Sequence, residues 1–230
     1  MYVPLDELAA HPEKAAGTEH TSIGVSLPRV AWDREWPQLL EQLRRARALG
    51  VEDALAGNLG MLSCVKELGF TLRGDFGLEV YNSQALKQLK RLGLRSAAVS
   101  FELKLAQIRD LSKAVDTELI AYGRLPLMLL RNCPGKTAAG CGDCRGINHI
   151  TDRRGEDFPL QCQNRQYTHL LNPRPLFLSD RLPEWDFCDF LTLRFTTETP
   201  AECDAILEMY QTGAAPAGPF TRGLYYRTLK

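Results

Sequence analysis

The sequence predicts an α/β protein: a partial (β/α) repeat of the TIM-barrel type, with a cysteine-rich metal-binding insertion in its C-terminal half. Three observations predict it. Short apolar strands recur every 20 to 30 residues between Ser22 and Tyr122, with amphipathic helical segments between them. That alternation gives right-handed βαβ units and a parallel sheet, either part of a (β/α) barrel or an open doubly wound sheet. Three of the helical segments close on the same pair, Leu49-Gly50, Leu68-Gly69 and Leu92-Gly93, and a strand follows directly. Glycine suits the left-handed position past a helix end because it has no Cβ to clash. Finally, Cys133, Cys141, Cys144 and Cys162 fall within 30 residues, where an even spread of seven cysteines would place about one.

In chain order, residues 1–20 hold Pro4, Pro12, Gly17 and several charges without a sustained apolar period, and are expected to form a linker or arm. Residues 21–130 carry the repeat. Ser22 to Leu27 alternates as a strand does. Leu39, Leu40, Leu43 and Ala46 share a helix face, Val51–Ala56 is a buried strand, and Met61, Leu62, Val65 and Leu68 mark a second helix. A third unit pairs a strand over Phe76–Tyr81 with a helix through Leu86, Leu89 and Leu92. Strand 94–101, helix 105–115 and strand 117–122 complete the series. No G-x-G-x-x-G follows the first strand, so no dinucleotide fingerprint is present. Residues 131–175 form a cysteine-rich, metal-binding segment of little periodicity. Residues 176–230 add a strand at Phe190–Phe195, a helix over Ala201–Tyr210 with Pro200 in its first turn, and a loose stretch at Gly213–Pro219.

Composition sets bounds on function. Of 230 residues, 28 are Lys or Arg and 28 are Asp or Glu, so bulk charge does not hold this chain to nucleic acid or anionic lipid. A hydrophobic fraction of 44% with 24% charged residues excludes wholesale disorder. The longest apolar run, Leu125 to Leu130, is broken by Pro126 and is too short to span a bilayer. The start lacks the basic and apolar regions of a secretory signal, so a reducing cytoplasmic setting is expected. There, an odd seven cysteines read as ligands and packed thiols rather than as a disulfide framework.

The quartet has the spacing C-x7-C-x2-C-x17-C. Thiolates gather around a soft metal because each supplies charge and a short bond without bulk, and an x2 pair chelates from one tight turn, here Cys141-Gly-Asp-Cys144. Two occupants fit this spacing: tetrahedral Zn²⁺ and an iron–sulfur cluster. The other cysteines, Cys64, Cys188 and Cys203, read as packed thiols, Cys203 being also a conceivable distant ligand. His149 and His169 flank Cys162 and could substitute as ligands or stand as loop histidines. At the strand ends lie Asn58, Asp75, Asn82, Glu102, Tyr122 and Arg124. Glu102 follows Val99-Ser-Phe in an apolar strand, where a carboxylate is costly unless paired or used. It is a candidate general base or substrate ligand, or a carboxylate favoured by the helix that follows. Arg124 is a candidate anion ligand or a partner of Glu102. Arg153, Arg154 and Arg165 are the candidates for a local polyanion contact such as RNA. No G-x-S-x-G or H-E-x-x-H is present.

Several segments, in order, are similar to a known family: Gly74-Asp-Phe-Gly-Leu-Glu-Val-Tyr-Asn-Ser83, Ser100-Phe-Glu-Leu103, Tyr122-Gly-Arg-Leu-Pro-Leu-Met128, the cysteine segment, and Leu171-Asn-Pro-Arg-Pro-Leu-Phe-Leu178. Together they resemble the collagenase-like peptidases, the thirty-second family of peptidases of unknown catalytic type, over most of residues 20–195. The resemblance implies a (β/α) barrel-like fold with a four-cysteine [4Fe-4S] cluster, here on Cys133, Cys141, Cys144 and Cys162. It also implies a part in hydroxylation of RNA or of the ubiquinone ring, or collagen-degrading activity without an agreed nucleophile. Several members place their fourth cysteine in an Asn-Ser-Lys-Asp-Leu-Cys stretch. The corresponding stretch here ends at Phe177, so the fourth ligand is expected from the local cluster. Val3 to Leu8 resembles the linker before a second, C-terminal barrel segment in longer members, which makes other segments of a longer chain expected partners.

Overall fold

The structure, a computed structural model, describes every residue except 19, 137–139, 142, 143, 145, 164 and 228–230. The chain divides into two compact units, Met1–Leu119 with Cys188–Phe190, and Ile120–Phe187 with Leu191–Lys230.

The first unit runs β1 (Tyr2–Pro4), α1 (Leu5–Ala10), β2 (Gly24–Ser26), α2 (Trp36–Ala48), β3 (Asp53–Ala56), α3 (Leu62–Glu67), β4 (Thr71–Gly74), α4 (Ser83–Leu92), β5 (Ser96–Ala98), α5 (Leu105–Arg109) and the first half of β6 (Asp116–Gly123). The six strands pair in sequence order and all in parallel, in registers such as Val25↔Ala54, Ala54↔Leu72 and Arg73↔Ser96. This curled parallel sheet with helical crossovers fits a partial (β/α) barrel. Its strands are buried and rich in small and β-branched residues: Val25, Ala54, Ala56, Ala97 and Val99 are sealed from solvent. Leu39, Leu43 and Ala46 of α2 and Leu86 and Leu89 of α4 cover the sheet. Gly50, Gly69 and Gly93, at φ of 87°, 78° and 96°, each end a helix in the left-handed region, as the Leu-Gly pairs predict.

Four local differences from the sequence reading have physical causes. The first twenty residues are not a bare linker: β1 pairs with β2, and Leu5 and Leu8 are buried. Three strand residues and one helical turn and a half are too short to display a period. The third strand is Thr71–Gly74, and Phe76–Leu78 is a 3₁₀ turn instead. Asp75 accepts the Phe76 N–H at 2.8 Å and Glu79 stands at φ 51°, which breaks the extended chain. The helix after β5 stops at Arg109. Glu102 does not lie in an apolar strand, since β5 ends at Ala98 and Glu102 is exposed in the following turn.

In the second unit, the later half of β6 lies beside β11 (Phe190–Arg194). Tyr122, Phe177 and Ile206 form a core there with Leu193, Met209, Tyr210 and Phe220. α6 (Pro200–Thr212) supplies Ile206 and starts as its sequence predicts. Thr199 and Glu202 form a reciprocal capping box, and Pro200 occupies the first turn. Residues 131–175 are more regular than their sequence suggests. β7 (Pro126–Leu130), β8 (Ile147–Thr151), β9 (Asp157–Gln163) and β10 (Tyr167–Leu171) form an antiparallel sheet in the order β7-β10-β9-β8. No residue of β7 or β8 is fully buried, so no clean apolar alternation is required of them. Beyond the loose stretch, the C-terminal segment is well anchored. Tyr225 is 1% exposed, donates to the Ile120 carbonyl at 2.9 Å and packs on Trp185, while Arg222 makes a bidentate pair with Asp180 at 2.6 and 2.7 Å. No helix among the described residues is long and apolar enough to cross a membrane.

Candidate metal centre

Strand register brings the cysteine quartet to one end of the antiparallel sheet. Thr168 of β10 pairs with Leu130 of β7 on one side and Cys162 of β9 on the other, and Cys133 lies three residues past Leu130. Across β9, Gln161 pairs with Ile147, the first residue of β8, and Cys144 lies three residues before it. The Cys162 N–H donates to the Gly146 carbonyl at 2.7 Å, which ties β9 to the chain leaving the x2 pair. The pair itself closes a turn, Cys144 N–H to the Cys141 carbonyl at 3.1 Å, and Cys133 opens an equivalent one with Lys136 at 3.1 Å. Gly140 and Gly146, at φ of 97° and 92°, make the reversals on either side of the pair, a conformation that a Cβ would oppose.

Cys133, Cys141 and Cys162 line one cavity of about 370 Å³, together with Arg131, Lys136 and Arg165. Cys144 is exposed and outside that lining. Among the described residues, no three His, Cys, Asp or Glu side chains are drawn together closely enough to hold a metal ion. The donor set nonetheless suits the iron–sulfur group that the resemblance implies. Thiols are the ligands such a cluster takes, and the cavity is far larger than one ion. The three cations answer the negative charge that metal-bound thiolates carry. Arg165 reaches the cavity from the β9–β10 turn at φ 60°, a left-handed conformation uncommon for a residue other than glycine. Arg131 and Lys136 escaped the sequence reading, although their closeness to Cys133 in the chain was the available signal.

The remaining candidates lie elsewhere. Arg153 and Arg154 are exposed in the β8–β9 turn. That turn is at the far end of β8 from the cysteines, about 15 Å away for a five-residue strand, so of the three arginines read as polyanion contacts only Arg165 lies at the cavity. His169 pairs with Gln161 and Leu129, one step out of phase with Cys162, so it projects from the opposite face. His149 faces Pro159 on β8, and neither histidine lines the cavity. Arg124 donates to the backbone carbonyls of Asn172 and Pro173, and the expected pairing with Glu102 gives way to these contacts. Glu102 accepts the Tyr81 hydroxyl, and its N–H donates to Ser100 Oγ at 3.2 Å. Burial first, and then the Glu102 hydrogen bond, push the Tyr81 hydroxyl up from its ordinary value. The sequence reading missed Tyr81. Of the other thiols, Cys64 donates to the Met61 carbonyl at 3.0 Å, and burial pushes Cys188 up to about 11. Cys203 is half-buried on α6, with burial the main cause of its raised pKa.

The model of a peptidase family, Peptidase family U32, matches residues 5–188. The chain belongs to this family. No curated protein and no solved structure gives a match. The U32 match takes in five of the six parallel strands, β2 to β6, the antiparallel sheet and all four clustered cysteines. Among the segments that carry the likeness, Gly74–Ser83 forms the end of β4, the turn with Glu79 and the start of α4. Tyr122–Met128 leads from β6 into β7, so several of the U32 segments fall where strands end.

Proposed function

We propose that this U32 chain holds a [4Fe-4S] cluster through Cys133, Cys141, Cys144 and Cys162 and takes part in hydroxylation or a related modification of RNA, or of a quinone ring. The observation that supports the reading is the convergence of three clustered thiols and three cations on one cavity. When bound, the cluster supplies one-electron transfer. The chain's own residues do the rest. The thiolates hold the group at the end of the sheet, and Arg131, Lys136 and Arg165 offset their charge. The same cations offer donors to an anionic substrate, such as the phosphates of RNA. With net charge zero over the chain, such contact is local. Arg153 and Arg154 would extend it only for a substrate that reaches along the sheet. Glu102, hydrogen-bonded to Tyr81 in the first unit, is a candidate proton acceptor, whereas Arg124 orders the backbone at Asn172 and Pro173. The free cysteines suit a reducing cytoplasm.

Anaerobic purification tests this. Brown protein with about four iron atoms per chain and broad absorbance near ~400 nm is the expected result. Colourless protein with one zinc would overturn it in favour of a zinc-stabilised docking domain. Cleavage of casein or collagen by the iron-free chain would favour the collagenase-like reading.

A further inference from the structure

The wall of the cysteine cavity is charged on one side of the ledger only. Arg131, Lys136 and Arg165 line it beside Cys133, Cys141 and Cys162, and no Asp or Glu is among the described residues that do. Over the whole chain 28 basic residues balance 28 acidic ones, so this excess is local and does not follow from composition. Elsewhere in the second unit Arg174, Arg181 and Arg222 each hold a carboxylate. At the cavity, among the described residues, no ion pair engages Lys136 or Arg165. The three cations reach it from separate points of the chain, and two of them from ordered turns. Arg131 follows β7, and Lys136 closes the turn that Cys133 opens, its N–H donating to the Cys133 carbonyl at 3.1 Å. Arg165 stands in the β9–β10 turn, which the Gln166 N–H closes onto the Gln163 carbonyl at 2.8 Å.

We infer that Arg131, Lys136 and Arg165 are positioning residues that raise the reduction potential of the iron–sulfur group on the quartet, so that it takes its electron from a milder one-electron donor than the same thiols would allow alone. The inference deepens the cluster reading and rests on it. Reduction transfers one electron from the donor, adds one negative charge at the thiolates and makes or breaks no bond. Fixed positive charge beside the site favours the more negative of the two states, and local charge is one of the factors that set such potentials. All three side chains are exposed, so solvent and salt screen each of them. Each is therefore expected to shift the ratio of reduced to oxidised protein at a fixed potential by about three- to tenfold, which is about 30 to 60 mV for one electron.

The test is a redox titration of the anaerobically purified full chain with dithionite, which gives up the electrons and ends as sulfite. Visible absorbance and the paramagnetic resonance of the reduced protein report the potential, and iron is counted in every preparation. Lys136→Gln and Arg165→Gln are each expected to lower the potential by the three- to tenfold factor, about 30 to 60 mV. Arg165→Lys keeps the charge and is expected to keep the parental value. Arg154→Gln removes a cation at the far end of β8 and is expected to leave it unchanged. Asn132→Asp puts a carboxylate into the lining without removing a cation and is expected to lower the potential as the Gln variants do. A parent chain without iron would overturn the cluster reading and this inference together. An iron-loaded parent whose potential stays fixed in the Gln variants, or moves equally in Arg154→Gln, would overturn this inference alone. Asn132→Asp keeps the test decisive if a Gln variant loses its iron, since an unshifted potential there refutes the electrostatic account with all three cations in place.

Discussion

Gly77→Ala is the substitution for which the structure supplies the sharpest magnitude. The new Cβ would sit 1.2 Å from Arg29 Nη1, 2.3 Å from its Cζ and 2.4 Å from the Gly57 carbonyl oxygen. Real Cβ atoms essentially never come within 3.0 Å of a neighbour, and optimal carbon–carbon contact lies at about 3.5–4.0 Å. The arginine can swing away, but it then forfeits its place over Phe76, worth about 0.5–2 kcal/mol. The Gly57 carbonyl belongs to backbone that follows β3 and cannot swing, so the overpacking itself costs a further ~1–3 kcal/mol. A total loss of about 2–4 kcal/mol is expected, read from urea unfolding midpoints at constant slope. A double-mutant cycle with Arg29→Ala separates the two parts. Removing the guanidinium first should lower the cost of Gly77→Ala by about 1 kcal/mol, leaving the carbonyl clash in force. Gly77→Ala within ~0.5 kcal/mol of the parent, or strict additivity with Arg29→Ala, would refute the steric account of this glycine.

Three further outcomes are expected. Cys162→Ser should lower bound iron to near zero in anaerobic preparations while Cys203→Ser leaves it unchanged, because only the first lines the cavity; equal iron in both would count against the quartet. Asp180→Asn should cost about 2 kcal/mol at neutral pH, the scale of a hydrogen-bonded charge pair that is three-quarters buried. Arg222 holds the Asp180 carboxyl below the ordinary carboxylate range, so its stabilisation is complete above about pH 4 and fades as pH falls through the lowered folded-state value; the gap between parent and variant must therefore close in acid, and a pH-independent gap would contradict it. Cys188, with a thiol pushed up to about 11, should react with iodoacetamide at pH 8 roughly a hundredfold more slowly than a free cysteine, as mass spectrometry of the labelled peptide would reveal.

The repeat was legible because its signals are local. A helix that buries one stripe must repeat its apolar residues along the chain, as Leu39, Leu43 and Ala46 do. A helix that stops before a strand needs a left-handed residue, which Gly50, Gly69 and Gly93 provide. The cysteine cluster was legible through density alone. The Phe76–Tyr81 segment misled for an equally local reason, since its apolar spacing suits a strand, and only the Asp75 cap and the Glu79 conformation reveal a turn. Glu102 was picked out by a wrong premise, burial in a strand, yet it stands at a strand end with Tyr81, a partner 21 residues away that no spacing rule connects to it.

The sequence by itself determined the α/β class, the three helix ends marked by Leu-Gly pairs, the grouping of four cysteines within 30 residues and the family, because each depends on residue type and short spacing. Tertiary structure alone decided which groups meet. The pairing of Leu130, Thr168 and Cys162 across three strands aligns the cysteines at one sheet end, and the same register carries Arg153 and Arg154 to the other. Gly77 is ordinary in the sequence and becomes a requirement only when Arg29, 48 residues earlier, occupies the space its side chain would need. Side-chain period states the face on which a residue lies, whereas long-range pairing and packing settle what that face meets.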